Sequence, residues 1–287
     1  MIKIRKAFSL IETSVVLLII AIVIVGITQS SRLINAFRLS SAKTTTESSP
    51  VTSIEGLSAW WETTMDESID KNSADDDREV NIWNDINPNE GSKNHLIQNT
   101  SGAMPIYKSA VINGLPALKF SGSQYFETPY SLELNEDKFT IFAVVSPISY
   151  STYGSIITSR DSPQKGYNLY VADTAGYEFW MGQGSYWSGI YENNAPLVLN
   201  RPSLLTAYYN SVSQILYQNG VEKLNKNLTT YVKNNDKPAR VGAGATETTP
   251  QYFLNGYIGE IIIYNRALKA EERMSVEAYL NKKWIRQ

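Results

Sequence analysis

Hydrophobic and polar positions fall into three regimes along the chain. From Val15 to Ile27 the sequence is almost wholly apolar, with eleven Val, Ile or Leu. From Ser31 to Ala42, Leu33, Ala36, Phe37 and Ser40 recur at spacings of three and four, the period of one helix face. This predicts that the apolar helix continues to residue 42. From Ile54 onward, short β-branched and aromatic runs alternate with turn residues. The runs at 117–120, 124–127, 139–146, 155–159, 167–171, 177–181, 203–209, 213–218 and 257–264 predict strands. Asn219-Gly220, between Tyr217 and Val221, predicts a tight hairpin, because both turn positions need positive φ. Lys269 to Trp284 predicts one helix, with a core-facing stripe of Leu268, Val276, Tyr279, Leu280 and Trp284. Many short strands with no long helix among them predict a mainly β fold. Its expected form is a two-sheet antiparallel jelly-roll sandwich with a C-terminal helix, preceded by a long N-terminal helix.

The first segment has the length and flanks of a membrane anchor. Phe8 to Thr28 is 21 residues, about 31 Å as a helix, which is enough to cross the hydrocarbon layer. Lys3, Arg5 and Lys6 precede it and place the N-terminus in the cytoplasm. Glu12 is the discordant residue, since a carboxylate in a span is costly and by default functional. An ordinary secretory signal or signal anchor is the alternative, with Val15–Ile27 as its apolar region. Residues 43–53, rich in Ser and Thr and containing Pro50, read as a linker.

Composition narrows the chemistry. A net charge of −2 over 287 residues excludes a strongly basic nucleic-acid surface. No cysteine is present, so neither a disulfide framework nor a thiolate metal site is available. His95 is the single histidine, which argues against zinc chemistry and against a Ser-His-Asp triad. Asp75-Asp76-Asp77 are consecutive and cannot share one strand face, so they read as a solvated loop. No strand presents two alternating carboxylates at the spacing a glycosidase needs, and no enzymatic activity is expected. The aromatic loops carry Tyr150, Tyr153, Tyr186, Trp187 and Tyr191 among small polar residues, and these five are the candidate binding surface for a glycan or surface protein. The competing reading is that the rings only cover the sandwich edge or core.

Two resemblances sharpen these readings. Lys6-Ala7-Phe8-Ser9-Leu10-Ile11-Glu12, followed by the apolar helix, resembles the processing segment of type IV prepilins and pseudopilins. That resemblance implies cleavage between Ala7 and Phe8 by a prepilin peptidase, N-methylation of Phe8, and pairing of Glu12 with the new amine of a neighbouring subunit. It implies a single pass through the bacterial inner membrane with the head outside the cytoplasm, and then a place in a pilus at the cell surface. A pseudopilin of a type II secretion system is the alternative, and an anchored carbohydrate-active enzyme is a more distant one. The expected partners are other pilin or pseudopilin subunits, the peptidase, the membrane and a ligand of the head.

The head resembles laminin-G-like, concanavalin-A-like jelly rolls. The resemblance rests on Leu57-Ser58-Ala59-Trp60-Trp61, Gly114-Leu115-Pro116-Ala117-Leu118-Lys119-Phe120, the run 139–145, and Asn255 to Leu268. It implies glycan or protein binding. Calcium, common in such domains, is an open alternative with no ligand assigned, although Asp85, Asn87, Asn89, Glu90, Asp161 and Asp173 supply loop oxygens. The expected organisation is a leader at 1–7, an anchor and spine helix at 8–42, a linker at 43–53 and a head at 54–287.

Overall fold

The computed structural model describes residues 10–88, 91, 93–150, 152–172, 176–191, 195–245 and 249–285, without the side chains of residues 10–12, 25–29 and 245. Ala7 and Phe8 therefore lie outside the described residues, as does the side chain of Glu12. Helix α1 (Leu10–Glu47) is continuous over 38 residues. It runs past residue 42 into the stretch read as a linker. There Thr44, Thr45, Thr46 and Ser48 donate their hydroxyls to the carbonyls of Ser40, Ser41, Ala42 and Thr44, one turn back. This back-bonding lets polar residues stay helical. Val15 to Leu18 and Leu33, Ile34 and Phe37 stand exposed along α1. The membrane-spanning helix expected at 8–28 is not found, for among the described residues no helix is long and apolar enough to cross a membrane.

The head is built from strands β1 (Leu57–Glu62), β2 (Ile82–Trp83), β3 (Leu96–Ile97), β4 (Ile106–Ile112), β5 (Leu115–Ser121), β6 (Phe126–Thr128) and β7 (Phe139–Pro147). These are followed by β8 (Gly154–Asp161), β9 (Lys165–Val171), β10 (Tyr177–Gly182), β11 (Trp187–Ile190), β12 (Ser203–Tyr209) and β13 (Ser213–Gln218). The last are β14 (Val221–Asn227), β15 (Ala239–Val241), β16 (Gly244–Ala245), β17 (Pro250–Gln251) and β18 (Asn255–Tyr264), before helix α2 (Ala270–Leu280) and a π-helical turn at Asn281–Ile285. One sheet has the order β14-β13-β12-β7-β18-β5-β4, with β1 also on β18. The other has the order β11-β10-β9-β8-β15-β6-β3-β2, and β16 and β17 form a small hairpin. The predicted mainly β, two-sheet sandwich with a C-terminal helix is what forms. Asn219 and Gly220 both take positive φ, the turn their dipeptide predicts.

Two apolar cores result. Trp61, Trp83, Phe120, Phe126, Phe139, Leu169 and Phe179 fill the space between the sheets. The second core lies on the outer face of the first sheet, where Ala42, Val51, Trp60, Phe142, Ile262, Val276, Leu280 and Trp284 pack together. The predicted helix stripe is thus buried, and the end of α1 is docked with it. Arg38 donates to the Asn113 carbonyl at 3.3 Å, and Lys43 pairs with Asp66 at 2.6 Å.

Beneath these helices sits a fully buried charge cluster. β1 and β18 bring Glu62 opposite Glu260, a repulsive pairing on its own. Lys283 bridges them, 2.8 Å from Glu62 and 2.9 Å from Glu260, with no exposure at any of the three. Glu62 also accepts from Thr64, Met65 and Ser68, and Glu260 from Trp60 Nε1, Trp284 Nε1 and the Tyr279 hydroxyl. Burial pushes the Glu62 carboxyl up, but Lys283 and these hydroxyls outweigh it and hold it below its ordinary range. Burial likewise pulls Lys283 down, and Glu260 and Glu62 overcome it to raise it.

Candidate functional site

Among the described residues, the helices pack on the first sheet and none covers the outer face of the second. Along β9, Tyr167, Leu169 and Val171 point into the core, so Asn168 and Tyr170 point outward. Along β10, Tyr177, Phe179 and Met181 point in, leaving Glu178 and Trp180 outside. Cross-strand register then aligns Gly189, Trp180, Asn168 and Thr158 in one row across β11, β10, β9 and β8. Trp180 fits because residue 189 is glycine: a Cβ there would come within 2.7 Å of the indole ring. The ring also stacks on Tyr191, with centroids 5.3 Å apart and planes 10° apart. Its N–H donates to Glu178 Oε2 at 2.7 Å.

Beside this row is a cavity of about 230 Å³ lined by Tyr153, Arg160, Asn168, Tyr170, Trp180, Trp187 and Tyr252. Tyr153 meets Tyr170, Tyr252 and Trp180 at centroid distances of 5.4, 5.2 and 6.5 Å. Tyr252 holds a positive φ, and its ring lines the cavity from the end of the β16–β17 hairpin. That left-handed conformation costs a residue with a Cβ about 1–2 kcal/mol. The Arg160 guanidinium lies 4.8 Å from the centre of the Trp187 ring, a cation–π contact. Burial raises the Tyr170 hydroxyl above its ordinary range, partly opposed by Arg160, which hydrogen-bonds it. Asn168 is 1% exposed, and its Oδ1 has no hydrogen-bond partner. Such an atom costs about 1–3 kcal/mol when left unmatched, and its residue is among those that line the cavity.

The structure brings Tyr153 and Trp187 together in this cavity and stacks Tyr191 on its Trp180 wall. Tyr150 and Tyr186 are exposed and do not line it. Sequence reasoning missed Arg160, Asn168, Tyr170, Trp180 and Tyr252. The signal for three of them was the period-two alternation in β9 and β10, which marks Asn168, Tyr170 and Trp180 as outward positions.

Among the described residues no group of three or more acidic or histidine side chains gathers to hold a metal. The Asp85 carboxylate instead accepts the backbone N–H groups of Trp60, Asn87 and Asn94, which folds its loop. Burial pushes that carboxyl up, and these donors oppose it. Asp161 accepts from the Ser162 N–H and Lys165. Asn89, Glu90 and Asp173 lie outside the described residues. Asp76 and Asp77 pair with Lys108 at the surface, and His95 Nδ1 accepts the Asp85 N–H at 3.2 Å.

The two-sheet jelly roll defines the class as a lectin/glucanase-like β-sandwich. The chain belongs to the Laminin_G_3 family of the concanavalin A-like lectin/glucanases superfamily, whose model matches residues 120–272. Domain 4 of AbnA, an extracellular arabinanase from Geobacillus stearothermophilus solved in complex with arabinotriose, is similar at TM-score 0.53 and 16% identity, covering 78% of this chain and 97% of that one. The botulinum neurotoxin serotype D binding domain is similar at TM-score 0.56 and 14% identity, covering 82% of this chain and 53% of that one. Trypanosoma rangeli sialidase in complex with sialic acid is similar at TM-score 0.56 and 11% identity, covering 82% of this chain and 34% of that one. At these identities the likeness is one of fold. A search of curated proteins finds no match.

Proposed function

We propose that this chain is a type IV pilin-like subunit whose sandwich head binds carbohydrate in the cavity on the outer face of the second sheet. The observation that carries the binding reading is the cavity itself. Five aromatic rings wall it, and Asn168 and Arg160 add polar groups to the lining. Aromatic rings stack on the apolar faces of sugars, and amide and guanidinium groups meet their hydroxyls. None of the described lining residues is a carboxylate, which favours binding over hydrolysis. The arabinotriose complex of the arabinanase domain supports the fold's suitability for sugars. The filament reading rests on the sequence from Lys6 to Glu12, with a head of more than 200 residues favouring a minor or terminal position in a pilus.

One preparation tests both parts. The native chain is purified in detergent, its N-terminus is weighed, and it is applied to a glycan array. N-methylated Phe8 is expected at the N-terminus. Array binding is expected to be lost in Trp180→Ala while the urea unfolding midpoint falls only slightly. Absence of binding to every glycan would remove the carbohydrate reading, and an N-terminus near Thr28 would remove the pilin one.

A further inference from the structure

The two ends of the first sheet carry opposite charge. At one end is β14, whose outer edge has no partner strand among the described residues. Two cavities of about 530 and 660 Å³ border this strand and share Lys223 in their walls. Lys223 is the extra residue of a β-bulge, because Leu224 pairs with Leu216 and Glu222 with Tyr217. A bulge of this kind re-aims a side chain. Lys226 lines the first cavity, and Arg201, from the loop before β12, lines the second. None of these three cations has an ion-pair partner among the described residues, and no described lining residue of either cavity is a carboxylate. The acids nearby are engaged: Glu222 accepts from Asn225 at 3.0 Å, and Glu277 pairs with Arg273 at 2.6 Å. Lysines on an open edge also discourage strand pairing. That role does not extend to Arg201 on its separate loop, or to Val198 and Val221, which stand exposed in the second cavity.

At the other end is β4, whose outer edge is covered by an acidic segment. The Tyr107 N–H donates to the Arg78 carbonyl at 2.8 Å, and the Asp77 N–H to the Tyr107 carbonyl at 3.0 Å. Residues 66–77 hold six carboxylates and one lysine, and all six acids are exposed. Lys43 pairs with Asp66, and Lys108 with Asp76 and Asp77. Glu67, Asp70 and Asp75 have no cation paired with them among the described residues. Ile69, buried in the core between the sheets, pins the segment in place. β14 and β4 stand six strand spacings apart, about 29 Å along the sheet, so the two surfaces of one chain cannot meet. Those of two copies can. We infer that two copies of this chain dock head to tail, with segment 66–77 of one over Arg201, Lys223 and Lys226 of the other. Because the two surfaces differ, the contact is heterologous and can repeat from copy to copy. It relies on neither the sugar site nor the N-terminal processing.

The test is sedimentation of the full chain in detergent. The native chain is expected to associate at low salt. Association should weaken at least about threefold as ionic strength rises from about 0.01 to about 0.15 M, where the screening length shortens from about 30 to about 8 Å. Lys223→Glu with Lys226→Glu, and separately Glu67→Lys with Asp75→Lys, should each weaken it about tenfold or more by setting like charges together. Mixed, these two variants retain one intact surface each and are expected to form a one-to-one dimer and nothing larger. The salt series needs no variant, so it stands even where a variant folds poorly. Association that salt leaves unchanged would place the contact in α1 and overturn the inference, as would a mixture no more associated than its components. A native chain that stays monomeric yet binds poly-L-glutamate would give the groove to an acidic segment of another protein, and would overturn it too.

Discussion

Each outer face of the sandwich carries a tryptophan laid across a glycine with its indole N–H on a glutamate. On the first sheet Trp284 lies over Gly259, where a Cβ would come within 2.8 Å of the ring, and it donates to Glu260. On the second sheet Trp180 lies over Gly189 at a corresponding 2.7 Å and donates to Glu178. The local chemistry is nearly the same, but what lies above differs. Over Trp284, α2 and the end of α1 close the face, and each charged group of the cluster beneath is paired and multiply hydrogen-bonded. Over Trp180 there is a cavity, and an amide oxygen is left without a partner. Orphaned hydroxyls also occur in the interior, at Tyr167 and Tyr231, but they are packed among the rings of Phe139 and Tyr209. A satisfied polar cluster under a lid is structure. An unsatisfied group at an open aromatic wall is what a ligand would complete.

The largest effect should come from breaking the closed face. Lys283→Met leaves two unexposed carboxylates facing each other and should cost about 3–5 kcal/mol in urea unfolding. The pH dependence carries a sign. Glu62 is held below its ordinary value of 4.5, so its contribution is present above that pH and is lost as pH falls through the folded value. Lys283 is raised above 10.5, so its contribution is present below that pH and is lost as pH rises through the folded value. The native head should therefore lose stability at both ends of that range. Without Lys283 the paired carboxylates favour a shared proton, and the variant should gain stability on acidification below neutrality. Lack of that reversal would show that the ammonium is not what holds the pair together.

A smaller effect separates the two glycines. Gly259→Ala drives a methyl group into a caged ring and should cost about 1–3 kcal/mol. At Gly189→Ala the partly exposed Trp180 can swing outward, so stability should fall by less than about 1 kcal/mol while sugar affinity drops. The two are compared by urea midpoint and by titration with the array's best ligand. Equal destabilisation at both sites would mean that the faces are not different in kind.

Much of this architecture was legible in the sequence, and its limits follow from what periodicity encodes. Apolar and aromatic runs placed the strands from β7 to β10, and β7 is a near-continuous run because both of its faces are core. The Asn-Gly pair fixed the β13–β14 turn, and the stripe from Leu268 to Trp284 marked the face that docks. Length was misread where Thr44 to Ser48 back-bond into α1, since hydroxyl-rich residues also compose linkers. The charge cluster was invisible because Glu62, Glu260 and Lys283 are far apart in the chain, and each alone reads as a surface residue. The cavity was half visible. Tyr153 and Trp187 stood out as aromatic residues among small polar ones, but Trp180 and Asn168 become neighbours only through the register of β9 on β10.

The smallest predicted change is the sharpest on the difference between the faces. Asn168→Ala removes a buried acceptor that has no donor in the folded chain, whereas the unfolded chain would hydrate it. Because Asn168 is among the cavity's lining residues, the space its removal leaves adjoins that cavity. Stability should stay level or rise by up to about 1 kcal/mol, against the usual direction for a buried substitution. Ligand affinity should meanwhile fall, by up to about tenfold, since the cavity wall loses its amide. Stability and binding would then move apart at one residue, the signature of a group kept for its ligand. A loss of more than about 1 kcal/mol in the unliganded chain would instead mark Asn168 as part of the fold, and the open face would then be no different from the closed one.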